Sequence, residues 1–213
     1  CRRCGRDPST VTLIGVTKTV PVETIREGVS AGISTIGENY VQEMAAKIEA
    51  LSELNISWHF IGHLQSNKAR QIVTRCELIH SLDRESLARE LERQAQKIGR
   101  AIPVLIQVNV GDESTKSGVS VEELWALYRA TASMSGLQVR GLMTLPPYSD
   151  HAEEARPYFR QLRRLLVELA DRSSNPEMLT ELSMGMSHDF EVAIEEGATT
   201  IRVGTALFGA RRP

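Results

Sequence analysis

The chain has 213 residues, 41% hydrophobic and 24% charged, with a formal net charge of −2. That length suits one large domain with a substantial buried core. No basic face clusters as nucleic-acid binding requires, and no apolar run reaches membrane-spanning length, so neither nucleic acid nor membrane is expected as a partner.

Short β-branched apolar runs alternate with longer amphipathic ones, the pattern of a parallel sheet covered by helices. The first strand is expected over Val11 to Thr17, ending at Lys18. Pro21 opens a helix, a position where its missing N–H costs nothing, and the helix stops near Gly32. Thr35 to Gly37 reads as a short second strand and Asn39 to Leu54 as the next helix. Strand three covers Trp58 to Gly62, followed by a helix from Asn67. Strand four covers Leu78 to Leu82, and Asp83 is expected to cap a helix running towards Gly99. Pro103 to Val110 is almost wholly apolar, as a strand buried on both faces should be. Ser120 and Glu123 form a capping box for the helix that follows. Val139 to Leu145 is strand six, ended by Pro146 and Pro147. A long helix spans about His151 to Arg172, and its basic run from Arg160 to Arg164 reads as a solvated face. Glu181 to Gly185 is strand seven, with a helix from about His188 to Gly197, and Thr200 to Val203 is strand eight.

About eight βα units in roughly 200 residues is the lower limit for a (β/α)8 TIM barrel. An open doubly wound sheet is the alternative, and the count and even spacing favour the barrel. Residues that follow each strand then share the face on which barrel enzymes place their chemistry. No linker or second domain is visible, so residues 1–213 read as one barrel domain.

Lys18 follows an apolar strand directly, so its amine points into the barrel mouth. Partial burial favours the neutral amine, the species that condenses with an aldehyde. An ordinary solvated lysine at a strand end is the alternative. After strand eight, Gly204 lets the backbone approach a ligand, and Thr205 offers a hydroxyl and an N–H at the start of a helical segment. Ser187, after strand seven, is expected to start the next helix, as a plain N-cap or as a cap that also reaches a phosphate. Barrels often bind phosphate after strands seven and eight. Arg202 sits between Ile201 and Val203 inside an apolar strand. It either faces outward to pair with a helix carboxylate or faces the barrel mouth and donates to a ligand ring nitrogen.

The three cysteines are Cys1, Cys4 and Cys76. Cys1 and Cys4 have metal-site spacing, but no second pair completes four ligands, so no metal is expected. An odd count without a disulfide framework points to a reducing compartment, the cytoplasm. The chain opens on Cys-Arg-Arg without Met, so some N-terminal sequence is expected to be missing.

Several runs resemble the YggS/PROSC family of pyridoxal 5′-phosphate (PLP) homeostasis proteins. They are Leu13 to Lys18, Gly37 to Tyr40, Trp58 to Lys68, Gly141 to Thr144, Leu182 to Ser187 and Ile201 to Gly204. The resemblance covers nearly the whole chain, departing from the family in a short N-terminus that would lack an opening helix. It implies the barrel of the alanine racemase type, and it makes Lys18 the Schiff-base lysine. It also makes Ser187, Gly204 and Thr205 phosphate contacts, Arg202 the partner of the pyridine nitrogen, and Asn39 a residue near the 3′-oxygen side of the cofactor. His63 is expected to face the site, and His59 to be structural.

Arginine only donates, so Arg202 would keep the pyridine nitrogen unprotonated and the electron sink weak. That disfavours transamination and decarboxylation and leaves racemisation or plain binding. Racemisation needs acid–base groups on both faces of the α-carbon. In alanine racemases a tyrosine from a C-terminal β-domain of the partner subunit serves one face. This chain ends at Pro213 and is expected to lack that domain and its dimer contact, so a monomer is expected. Of the four tyrosines only Tyr148 follows a strand on the active face, and no catalytic role is expected of it. The resemblance therefore implies a protein of vitamin B6 and amino-acid balance that holds PLP without turnover and passes it to apo-enzymes; a small PLP-dependent racemase is the alternative. A Schiff-base aldolase would use Lys116, in the polar loop Gly111 to Gly118, which could otherwise steer the phosphate or hold a second PLP.

Overall fold

A computed structural model describes residues 1–113 and 117–209. Eight strands form one closed parallel barrel in sequential order, β1 to β8, and β1 pairs with β8 through Thr12↔Thr200 to Gly15↔Val203. The strands are β1 Thr12–Val16, β2 Thr35–Glu38, β3 Ser57–Phe60, β4 Leu78–Leu82, β5 Ile102–Gln107, β6 Leu137–Met143, β7 Glu181–Met186 and β8 Thr200–Val203. The open sheet is thereby excluded. The helices are α1 Val22–Ser30, α2 Val41–Ala50, α3 Glu85–Ile98, α4 Val121–Ala132, α5 Arg156–Asp171, α6 Phe190–Glu195 and α7 Thr205–Phe208.

Alternation along the strands divides the interior into two zones. Outward residues such as Phe60, Ile79, Val104 and Ile106 pack beneath the helices in the main core, which also holds Leu91, Phe159 and Leu162. Inward residues Leu78, Leu105 and Met143 form a separate small cluster inside the barrel. Stacked inward layers make a barrel interior a packed core rather than a pore. Above that plug the inward positions turn polar, with His80 and Ser183 both fully buried.

The helix termini explain most differences from the sequence reading. The capping box holds: Ser120 Oγ accepts from Glu123 N–H at 3.2 Å, and Glu123 accepts from Ser120 N–H at 3.1 Å. Asp83 does not cap α3, which begins after Arg84 without a side-chain cap. Its carboxylate is taken by the Arg84 guanidinium and by His63 at 3.1 Å, and a charged partner such as Arg84 outcompetes a helix N–H. The expected helix from Asn67 is a 3-10 segment, Ser66–Gln71. The expected helix from His151 begins as 3-10 turn Ala152–Ala155 and becomes α5 at Arg156, with a proline in its first turn. Within the basic run of α5, Arg160 pairs with Glu196 and exposed Arg164 with Glu168.

Candidate functional site

The carboxyl ends of the strands surround a cavity of about 540 Å³. Lys18, Asn39, Ser187, Arg202, Gly204 and Thr205 all line it. Arg202 comes from β8 itself and the others from the segments after β1, β2, β7 and β8, which closure of the barrel makes neighbours. Lys18 is half-buried, two residues beyond the end of β1. His63 lies outside this cavity, with its side chain 50% exposed and bonded to Asp83. Lys116 lies outside the described residues.

Ser187 is not the N-cap of α6, which starts at Phe190 with no side-chain cap. Its hydroxyl oxygen instead accepts from the N–H groups of Gly204 at 3.1 Å and Ala206 at 3.3 Å. The two loops after β7 and β8 therefore meet at one hydroxyl. A Cβ on Gly204 would meet Val16 only at an ordinary 3.5 Å, so packing within the chain does not demand glycine there. Glycine is demanded at Gly62, where a Cβ would lie 2.2 Å from the Asn39 carbonyl oxygen. This close approach seats the loop after β3 against Asn39. The side-chain Oδ1 of Asn39 is buried and has no hydrogen-bond partner among the described residues.

Arg202 faces into the barrel and is 3% exposed. Its Nη1 donates to Ser183 Oγ at 2.5 Å and its Nη2 to the Thr144 carbonyl at 2.7 Å. Burial pulls its pKa down to about 10, so it remains a cation at neutral pH. The chain continues: Ser183 Oγ lies 2.8 Å from His80 Nδ1, and His80 Nε2 lies 3.0 Å from His59 Nδ1. Arginine can only donate, so Ser183 Oγ accepts from Arg202 and shares a second hydrogen bond with His80 Nδ1. His80 Nε2 and His59 Nδ1 share the next one. Burial pushes His59 down to about 4 and His80 well below the usual histidine value, so both rings are neutral at pH 7. His59, expected to be structural, bonds to His80 and does not line the cavity. Sequence reasoning missed Ser183 and His80. The signal was a polar residue within the apolar run Leu78 to Leu82, the same signal that marked Arg202.

The segment after β6 forms the remaining wall, through Leu145, Pro147, Tyr148 and His151. Tyr148 is 80% exposed, and its ring centroid lies 6.1 Å from that of His188. Its hydroxyl donates to Asp150 at 3.2 Å, and that bond raises the phenol pKa.

A closed barrel with a lysine after β1 and loops after β7 and β8 that meet at Ser187 fits an alanine-racemase-type barrel, and residues 8–212 match the alanine racemase N-terminal domain family. The pyridoxal phosphate homeostasis protein of Aquifex aeolicus is 52% identical over 212 residues, covering 100% of this chain and 92% of that protein. PipY of Synechococcus elongatus, solved without PLP, superposes with a TM-score of 0.89 at 41% identity, covering 98% of this chain and 97% of its own. The same protein with PLP bound gives 0.87 at 40% identity, covering 98% and 96%. The chain belongs to the alanine racemase N-terminal domain family and, within it, to the pyridoxal phosphate homeostasis proteins.

Proposed function

We propose that this barrel binds PLP through Lys18 and serves PLP homeostasis by holding the cofactor and releasing it to apo-enzymes, without turning over a substrate. The observation that carries this reading is the convergence of Lys18, Arg202 and the Ser187–Gly204–Thr205 turn on one cavity. The donor set suits the cofactor. An amine meets an aldehyde, backbone N–H groups and hydroxyls meet a phosphate, and a guanidinium meets a ring nitrogen. The unpartnered Oδ1 of Asn39 marks one further polar contact that protein does not satisfy.

Bound PLP supplies a reactive aldehyde and a ring whose electron-withdrawing power depends on protonation of its nitrogen. Around that chemistry the protein's own groups act conservatively. Lys18 binds covalently, and the turn after β8 orients the phosphate. Arg202 would donate to the nitrogen without surrendering a proton, and His80 and His59 behind it are neutral and add no further positive charge. Such an arrangement holds a ligand well and activates it poorly. The free thiols of Cys1, Cys4 and Cys76 support a cytoplasmic setting. No helix among the described residues is long and apolar enough to cross a membrane. A monomer, formed from residues 1–213 as one PLP-binding domain, leaves the cavity mouth open to an apo-enzyme.

The test is the visible absorbance of protein mixed with PLP, before and after borohydride, with peptide mapping of the reduced product. A band that borohydride removes, with the label on Lys18 and absent in Lys18→Ala, is expected. A label elsewhere, or none, overturns the reading. Tyr148 in the cavity wall favours racemisation as a second reading. However, its bond to Asp150 holds the phenol proton more tightly and makes it a poor base near neutral pH. Exchange of amino-acid α-hydrogens for deuterium by the PLP-loaded protein would establish racemase-type chemistry; no exchange is expected.

A further inference from the structure

Beyond the cavity, a buried charged cluster grips the chain on both sides of Lys18. The Lys47 ammonium, on α2, donates to the Thr17 carbonyl at 2.6 Å, to Glu38 Oε1 at 2.7 Å and to Glu43 Oε2 at 3.0 Å. An ammonium has three N–H donors, and all three are engaged. Thr17 Oγ1 donates to the same Glu38 oxygen at 2.6 Å. Glu43 Oε2 in turn accepts from the Thr19 N–H at 2.9 Å. The Thr17 carbonyl and the Thr19 N–H belong to the two peptide groups that flank Lys18. One ammonium therefore fixes both, the first directly and the second through Glu43.

The backbone at this point needs holding. Thr19 has φ of 62°, in the left-handed region that a β-branched residue rarely adopts. Such a conformation persists where its surroundings over-determine it. Stability alone does not explain the cluster, because a buried ion pair is seldom better than an apolar pair of equal volume. Lys47 is 7% exposed and Glu38 fully buried, so both give up hydration. What an apolar pair could not do is bind the peptides on either side of one lysine.

We propose that Lys47 is a positioning residue for Lys18, locking the Thr17–Lys18–Thr19 turn so that the Lys18 amine is held at the cavity in an orientation ready for an aldehyde. The proposal rests on the reading of Lys18 as the PLP-binding lysine.

Wild type, Lys47→Met, the double variant Lys47→Met/Glu38→Gln and Glu43→Ala separate positioning from stability. Each is followed for thermal midpoint, for the rate of adduct formation on mixing with PLP, and for the rate of PLP loss on dilution. Borohydride mapping fixes the site of attachment. Lys47→Met leaves Glu38 buried and unpaired, so both midpoint and rate should fall. The double variant removes that orphan charge and should regain much of the midpoint, while its rate stays about tenfold or more below wild type, because small misplacements of a reacting group carry large rate penalties. Glu43→Ala, which keeps the Lys47 contacts to Glu38 and Thr17 and removes the Thr19 arm along with the Lys47–Glu43 contact, should keep the fold and slow the rate. Rates that recover with the midpoint in the double variant, or a wild-type rate in Glu43→Ala, overturn the positioning role. If wild type itself carries no label on Lys18, the underlying assignment fails instead, and the proposal with it.

Discussion

The buried histidine pair makes the fold acid-labile in a window where few other groups titrate. The ordinary histidine pKa is 6.5, and in the folded barrel burial holds His59 at about 4. Between those values the unfolded chain takes up a proton that the folded chain refuses. Stability from this source is complete above the unfolded value and is lost as pH falls. At about pH 5 the loss from His59 is roughly 2 kcal/mol, rising to about 3 kcal/mol below its folded pKa. His80 is shifted in the same direction and adds to the loss. Set against a typical total of about 5–15 kcal/mol, this is a large fraction. Urea unfolding followed by circular dichroism at fixed ionic strength measures it. The midpoint should fall by about 1 M or more between pH 7.5 and pH 5, for an m-value of about 2 kcal/mol per M. His59→Asn offers His80 an oxygen in place of Nδ1 and cannot take a proton, so its midpoint should fall by about half as much. A midpoint constant across the range, or an equal fall in His59→Asn, would refute the assignment of neutral buried rings.

Two further outcomes follow from the cavity. Ser187→Ala removes the acceptor of the Gly204 and Ala206 N–H groups together with a phosphate donor; the PLP dissociation constant, read by equilibrium dialysis, should rise about 10- to 100-fold, and an unchanged constant would place the phosphate elsewhere. Gly62→Ala would drive a Cβ to 2.2 Å from the Asn39 carbonyl, so a destabilisation of about 1–3 kcal/mol is expected with weaker PLP binding; wild-type stability in urea would show that the two loops part easily.

Much of this molecule was legible from its chain. The apolar runs ending at Lys18, Leu82 and Val203 located their strands, and the number of such runs called for closure. Arg202 stood out because a charge inside Ile201–Val203 needs a partner. Its partners did not stand out, since Ser183 and the Thr144 carbonyl reach it only across the closed barrel, which periodicity along one strand does not encode. Lys47 was hidden for another reason. With Glu43 four residues earlier it reads as an ordinary solvated helix pair, while its contacts to Glu38 and Thr17 are tertiary. The capping readings of Asp83 and Ser187 failed alike: each had the chemistry of a helix cap, but Asp83 was claimed by adjacent Arg84 and by His63 from the loop after β3, and Ser187 by N–H groups of the loop after β8.

The Ser187 hydroxyl has a consequence for how ligand is surrendered. In the protein alone its oxygen accepts the hydrogen bonds of Gly204 and Ala206. On the proposed PLP-binding reading, an arriving phosphate would take over those N–H groups and a departing one would hand them back to the serine. Loading and unloading would then be an exchange of like for like, in which neither backbone donor is stranded at either end. A site built so pays less to stand empty, which suits a reservoir that must be drained as readily as it is filled.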